Sequence, residues 1–306
     1  MWRLFFWSLT VMLGLLAWAP NASNAEPKEA KSPPSRQLRV AAVQMRSTRD
    51  LAANIGQIEN HIKRCAKDGV RVVAFPECAI TGYFDDEYMH SFSSEQLTNA
   101  EQKVAEACRK HNVYAIVGIP HREENRLYNS AVVITPTGSI LARYNKTQLA
   151  ESWPTAGNEL LVFKIDDVWA TIIICHDERY PELVRLPVLA GANLVFYLSH
   201  ESGLTAESKL IPYRAQIQAR AVENTVYVVQ ANAPANSDAS GSHGQSRLIA
   251  PDGNLIEEAS IFHEDVLAAT LDMGRATRHQ ARQSIDRGPL RDWWRAGVAQ
   301  VRVIEE

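Results

Sequence analysis

No run of four like charges occurs anywhere in the 306 residues, and 32 Lys and Arg stand against 35 Asp and Glu for a formal net charge of −3. A polyanion such as nucleic acid therefore finds no basic field to bind. Cysteine is scarce. The four, Cys65, Cys78, Cys108 and Cys175, form no Cys-x-x-Cys pair and no metal-ligand rhythm, which argues against a zinc module or a disulfide-dense scaffold. No strong internal repeat is visible, so a solenoid or propeller is not indicated. Beyond the first 25 residues no apolar stretch reaches the roughly 20 residues of a spanning helix. What remains is an ordinary globular composition, 46% hydrophobic and 22% charged. A single large α/β layer architecture can fill this length.

The first 25 residues stand apart. Arg3 is followed by an apolar run from Leu4 to Ala19, then Pro20, then the small-x-small triplet Ser23-Asn24-Ala25. That order is expected of a cleaved signal peptide, with an uncleaved anchor as the alternative, hence of an exported (periplasmic or secreted) protein with no stable membrane insertion after cleavage. Residues 26–37, polar and proline-bearing, read as a flexible linker. The folded domain is expected over 38–272, with 273–306 as a C-terminal extension whose Trp293-Trp294 pair would suit an oligomer contact.

Within the domain, β-branched runs alternate with helical periodicity. Leu38–Met45, Val70–Phe75 and Val113–Ile119 read as strands around helices over 50–67 and 95–111. Ser130–Ile134 and Ser139–Tyr144 form a hairpin about Pro136-Thr137-Gly138. Strands over 161–165, 168–174, 193–198 and 225–231 follow, with helices to Ala190 and over 207–223, then strands at 245–250, 254–258 and 265–271. Loops 78–94, 121–129, 150–158 and 199–206 are expected to shape any pocket. The mixture points to a sheet-rich α/β domain with helices outside.

Chemistry gathers at strand ends in such sheets. Thr171–Ile174 is a buried-strand pattern that stops at Cys175, and Tyr180-Pro181-Glu182 opens the next helix. A cysteine there is either a small buried hydrophobe or a nucleophile facing backbone N–H groups. Glu77 and Lys146 also stand just past predicted strands. A carboxylate near a lysine can take a thiol proton and return it to a leaving nitrogen, while the lysine and the His176 N–H stabilise an oxyanion. Taken one by one, an isolated Glu or Lys in such a place is more commonly a solvated surface group.

Three blocks, Phe75-Pro76-Glu77, Tyr144-Asn145-Lys146 and Ile174-Cys175-His176-Asp177-Glu178-Arg179-Tyr180-Pro181-Glu182, resemble in order and spacing the catalytic blocks of the nitrilase superfamily of carbon–nitrogen hydrolases. Accessory matches are Gly191-Ala192, Ala219–Asn224, and Gly244-Gln245-Ser246 with Pro251-Asp252-Gly253. The resemblance implies a four-layer αββα sandwich of two mixed sheets face to face. It also implies Glu77 as general base, Lys146 as the cation beside the intermediate and Cys175 as the acyl-forming nucleophile. Glu151, six residues before Gly157, matches a second glutamate of many members. No cofactor or metal is implied, and members commonly form homodimers or larger homo-oligomers.

The block around Cys175 resembles amidase-type branches, so the expected reaction is thiol-dependent hydrolysis of a small linear amide or N-carbamoyl amine with water, releasing ammonia. Nitrile hydrolysis by the same triad, or a silent binding protein of this fold, are the alternatives. His176, where relatives often carry Tyr, Trp or Asn, either binds substrate or caps the turn. His200 and Glu201 either meet substrate or sit in a solvated loop. Cys175, His176 and Asp177 are consecutive and cannot easily converge on one metal ion.

Overall fold

The computed structural model describes residues 36–201, 207–238 and 240–305. The expected signal peptide, nearly all of the linker and most of the 199–206 loop therefore lie outside the described residues.

Asp50 accepts hydrogen bonds from the N–H groups of Ala52 and Ala53 at 2.9 and 3.1 Å. It thereby caps α1 (Leu51–Lys67), which buries Ile55, Ile58 and Ile62. This helix follows β1 (Gln37–Gln44) and precedes β2 (Val72–Ala74). Next come a short α2 (Asp86–His90) and α3 (Ser94–His111), the latter opened by a Ser93–Gln96 capping box. β3 (Tyr114–Glu123), β4 (Arg126–Ile134) and β5 (Ile140–Asn145) complete the first half. In the second half β6 (Leu160–Ile165), β7 (Val168–Ile174), α4 (Glu182–Ala190), β8 (Leu194–Ser199), α5 (Glu207–Val222) and β9 (Tyr227–Asn232) follow in turn. The chain ends with β10 (Arg247–Ile249), β11 (Leu255–Glu258), β12 (Asp265–Asp272), α6 (His279–Asp286), α7 (Arg291–Val298) and β13 (Val301–Ile304).

Two mixed sheets result, one ordered β12-β1-β2-β3-β4-β5 and the other β11-β10-β9-β8-β7-β6-β13. Alternation along each strand sends one set of side chains between the sheets and the other toward helices. Val40, Ala42, Val72 and Ile116 of the first sheet meet Phe163, Ile172, Phe196 and Val229 of the second in a shared core. Val43, Val73 and Val117 face away, onto Ile58 and Ile62 of α1 and Val104 of α3. Ile173, Val195 and Tyr197 face Val184 and Val188 of α4 and Ile217 of α5. This is the αββα sandwich that the sequence blocks imply, and the four cysteines are free thiols.

Several local readings need correcting. β2 spans three residues rather than six, because Val70 N–H still bonds back to the Cys65 carbonyl at the end of α1 and Phe75 already leads into the turn that carries Glu77. Residues 121–129, expected as a loop, are mostly the two ends of a β3–β4 hairpin pairing from Ala115↔Ile134 to Glu123↔Arg126. The acidic, aromatic stretch after Gly82 holds α2, capped by the Asp85 carboxylate on Tyr88 N at 3.0 Å. Past residue 272 the chain adds β13, parallel to β6 with Val301 opposite Leu160.

Candidate active site

Glu77 sits on the turn after β2, where the next residue, Cys78, takes a left-handed φ of 51°. The turn lies almost on the backbone of β3: a Cβ at Gly118 would stand 2.3 Å from the Pro76 carbonyl oxygen and 2.4 Å from Cys78 N. Only glycine allows that approach. Lys146 follows β5, its N–H donating to the Asn129 carbonyl at 2.8 Å. Its own carbonyl accepts from Gly157 N at 2.8 Å. A Cβ at Gly157 would reach within 2.2 Å of the Asn145 carbonyl oxygen, so this second glycine lets the 150–157 loop close over Lys146. Cys175 ends β7 at a φ of 44°, a strained elbow for a residue with a Cβ.

These three turns bring the side chains together. Lys146 Nζ donates to Glu77 Oε1 at 3.0 Å and to Glu151 Oε1 and Oε2 at 2.8 and 2.9 Å. Glu77 Oε2 accepts the His200 N–H at 2.8 Å. Lys146 and Glu77 are 1% and 2% exposed, so one buried cation serves two buried carboxylates. Burial opposes the charge on Lys146, but Glu77, Cys175 and Glu151 hold its pKa above the ordinary lysine value. Burial pushes the Glu77 carboxyl up; Lys146 pulls it down, Glu151 raises it again, and the net shift is upward. Burial also works against an ionised Glu151, but Lys146 and the Asn129 and Ala150 hydrogen bonds keep its pKa low. The Cys175 thiol is pushed well up by desolvation and by the Glu77 charge, against the pull of Lys146. At rest it is a thiol beside a carboxylate that holds protons well. Glu151 remains the ionised partner of Lys146.

His176 is half-buried on the elbow, its ring edge-on to Tyr180 at 5.9 Å. Burial, with Arg179 and Lys146, lowers its pKa. The His200 ring stacks on Tyr83 at 4.9 Å. Burial, then His243 and Lys146, bring its pKa down to about 4, so it is a neutral ring at physiological pH. Together with Arg46, Ser47, Glu77 and Phe84, the Tyr83–His200 stack lines a recess of about 240 Å³. Glu201 is turned elsewhere. Its carboxylate contacts Tyr197 Oη and His243 Nε2, and it is not among the residues lining that recess.

Three supporting residues escaped the sequence reading. Asn129 donates to Glu77 Oε1 and Glu151 Oε1, both at 2.7 Å. Asp177 accepts from Ile174 N at 3.0 Å, Tyr144 Oη at 2.8 Å, Thr147 Oγ1 at 3.1 Å and Gln148 N at 2.8 Å. It thus ties the cysteine elbow to the lysine loop. Tyr197 Oη donates to the Cys175 carbonyl at 3.2 Å. A polar residue opening an apolar strand, as Asn129 does before Ser130–Ile134, was the one local signal available. Among the described residues no group of three or more His, Cys, Asp and Glu side chains is arranged to hold a metal. Asp177 points into the protein while His176 lies toward Tyr180, so the consecutive Cys-His-Asp side chains diverge.

With this geometry in view, comparison with known proteins is direct. Residues 39–280 match the carbon–nitrogen hydrolase family. An omega-amidase of Danio rerio is 28% identical over 253 residues, covering 77% of this chain and 88% of its own. A 2-oxoglutaramate amidase of Bacillus subtilis is 28% identical over 238 residues, covering 76% and 88%. Among solved structures, a cysteine-to-alanine variant of a Nesterenkonia amidase from the nitrilase superfamily superposes with a TM-score of 0.73. It is 22% identical and covers 85% of this chain and 98% of its own, a likeness of fold. The chain belongs to the carbon–nitrogen hydrolase family and is a carbon–nitrogen hydrolase.

Proposed function

We propose that the protein hydrolyses the C–N bond of a small linear amide or N-carbamoyl amine through a thioester on Cys175. The observation that carries this reading is the Lys146 ammonium held at 3.0 Å from Glu77 and 2.8 Å from Glu151, in a buried cluster whose charges act on the Cys175 thiol.

Glu77, ionised and raised by burial, takes the thiol proton as sulfur attacks the amide carbon. The oxygen gains negative charge and is met by Lys146 Nζ and the His176 N–H, donors fixed before the reaction begins. The C–N bond then breaks, Glu77 gives its proton to nitrogen, and ammonia leaves. Water attacks the thioester, with Glu77 again accepting a proton, and the acid departs as the thiol is restored. Glu151 keeps Lys146 protonated throughout and keeps Glu77 basic by like charge.

Ammonia release across short amides, N-carbamoyl amines and nitriles tests this reading, with Cys175→Ala as the blank. Release confined to amides or carbamoyl amines, and abolished in the variant, supports it. Release from nitriles alone shifts the chemistry to a nitrilase. Silence across the set leaves a binding protein of this fold. We also propose export with removal of residues 1–25, which the N-terminal mass of protein recovered from the producing cell checks, and a homo-oligomer, which sedimentation checks.

A further inference from the structure

The peptide that joins Cys175 to His176 is held from behind by a buried polar cluster that the proposed reaction does not use. Tyr197 stands on β8 opposite Ile173 of β7 and is fully buried, and its Oη donates to the Cys175 carbonyl at 3.2 Å. The same hydroxyl donates to one oxygen of the Glu201 carboxylate, whose other oxygen meets His243 Nε2. Glu201 and His243 are buried as well. Burial opposes the charge on Glu201, but His243 and Tyr197 outweigh it and hold its carboxyl below the usual range. A phenol has one hydrogen, so the Cys175 carbonyl shares it with an ionised competitor.

A trans peptide is planar, and its N–H points opposite to its C=O. The Cys175 carbonyl and the His176 N–H belong to one such unit. A donor that fixes the carbonyl on one side therefore fixes the N–H on the other, and it polarises the unit so that the N–H donates more strongly. Cys175 itself sits at a φ of 44°, a conformation that persists only where its surroundings hold it. We propose that Tyr197 is a positioning residue for acyl transfer: by holding the Cys175 carbonyl it aims the His176 N–H at the developing oxyanion, while Glu201 sets how much of the phenolic hydrogen that carbonyl receives. The assignment rests on the hydrolytic reading above, which makes this N–H an oxyanion donor. It gives Glu201 a place behind the nucleophile rather than against substrate.

Two reagents that act on Cys175 without turnover test this on the full chain. Iodoacetamide alkylates the thiol by displacing iodide, the thiol proton leaving through Glu77, and no oxyanion forms. Cys175 is the one cysteine of the four that is not buried, so peptide mass assigns the alkylation rate to it. A short aliphatic aldehyde instead takes the thiol across its C=O: sulfur bonds to carbon, the thiol proton passes by way of Glu77 to the new oxygen, and that oxygen occupies the place of the oxyanion. Its affinity is read as protection of Cys175 from iodoacetamide. Tyr197→Phe should weaken the aldehyde adduct and lower kcat/KM for an amide by about tenfold each, with the alkylation rate within about twofold of the parent. Glu201→Gln removes the competing charge and should tighten the adduct by about threefold or more. Equal aldehyde affinity in the parent and Tyr197→Phe would overturn the proposal. So would alkylation that slows in parallel, which would make Tyr197 a support of the thiol alone, or an aldehyde that fails to protect the parent. Should Tyr197→Phe fail to fold, Glu201→Gln decides: a tighter adduct upholds the shared hydrogen, and an unchanged or looser one refutes it. An adduct weakened by Tyr197→Phe, in a parent that releases no ammonia from any amide, would sink the hydrolytic reading and leave Tyr197 in place.

Discussion

Asn129 and Glu77 meet at 2.7 Å through Asn129 Nδ2, and the same nitrogen lies 2.7 Å from Glu151. A primary amide has two hydrogens to give, so one side chain holds apart two carboxylates that would otherwise compete for Lys146 alone. Its oxygen faces the Cys78 sulfur at 3.7 Å, which fixes which end of the amide points at the acids.

Replacing Asn129 by Ala removes two charge-assisted hydrogen bonds from a buried site. Hydrogen bonds to charged groups are worth about 1.5–3 kcal/mol each; if the transition state loses the worth of one of the two, kcat/KM falls by about tenfold to a hundredfold, with the far-UV circular dichroism unchanged. An activity within about twofold of the parent would remove Asn129 from the set of positioning groups.

Glu151 raises Glu77 by like charge. Removing that charge with Glu151→Gln makes Glu77 easier to ionise. The ascending limb of the kcat/KM profile, which follows the ionisation of the base in the free enzyme, should therefore move to lower pH, even as the rate at its plateau drops. A limb that stays put or moves upward would show that Glu77 is not the titrating base.

Glu178 is 2% exposed and one of its carboxylate oxygens has no partner among the described residues. Burial, then the Glu201 charge, push its pKa up to about 9. In the unfolded chain a glutamate ionises near about 4.3, so between these values the folded protein holds a proton that the unfolded chain has lost. The stability this residue contributes is complete below the lower value and is lost as pH rises toward the upper one. Glu178→Gln keeps the shape and deletes the titration. Urea midpoints measured across this range should favour the variant increasingly as pH rises; parallel curves would contradict the assignment.

Gly118→Ala places a methyl within 2.3 Å of the Pro76 carbonyl oxygen. Backbone on both sides must move, so destabilisation of about 1–3 kcal/mol is expected, together with a fall in kcat because the displaced turn carries Glu77. A thermal scan and a rate on the same preparation check both. Full activity in the variant would mean that the turn tolerates displacement.

Residues patterned by local physics were legible, and those defined by distant partners were not. The Asp50 cap and the Ile55–Ile58–Ile62 face read correctly because burial there follows the helical period, and the runs that became β7 and β9 because they are continuous apolar stretches buried nearly throughout. The strand Val301–Ile304 escaped because four residues after a polar tail carry too little pattern, and its partner, β6, lies far away in sequence. Glu77, Lys146 and Cys175 were named from their blocks, and each lies just past the end of a strand. Asn129 and Asp177 act through partners up to 52 residues distant, and no local pattern announces that. Glu201 is instructive. Side chains alternate along β8, with Phe196 and Leu198 in the inter-sheet core and Tyr197 toward the helices. Carried two residues past the strand, that alternation leaves His200 beside Tyr83 and Glu201 with Tyr197.

Intact-mass and peptide-mass measurements on enzyme quenched during turnover of an amide test the role of Cys175 most directly. The expected result is a mass increase equal to the acyl group, confined to the peptide bearing Cys175 and absent from Cys175→Ala. Ammonia release that continues in Cys175→Ala, or an acyl group found on any other residue, would contradict the thioester pathway.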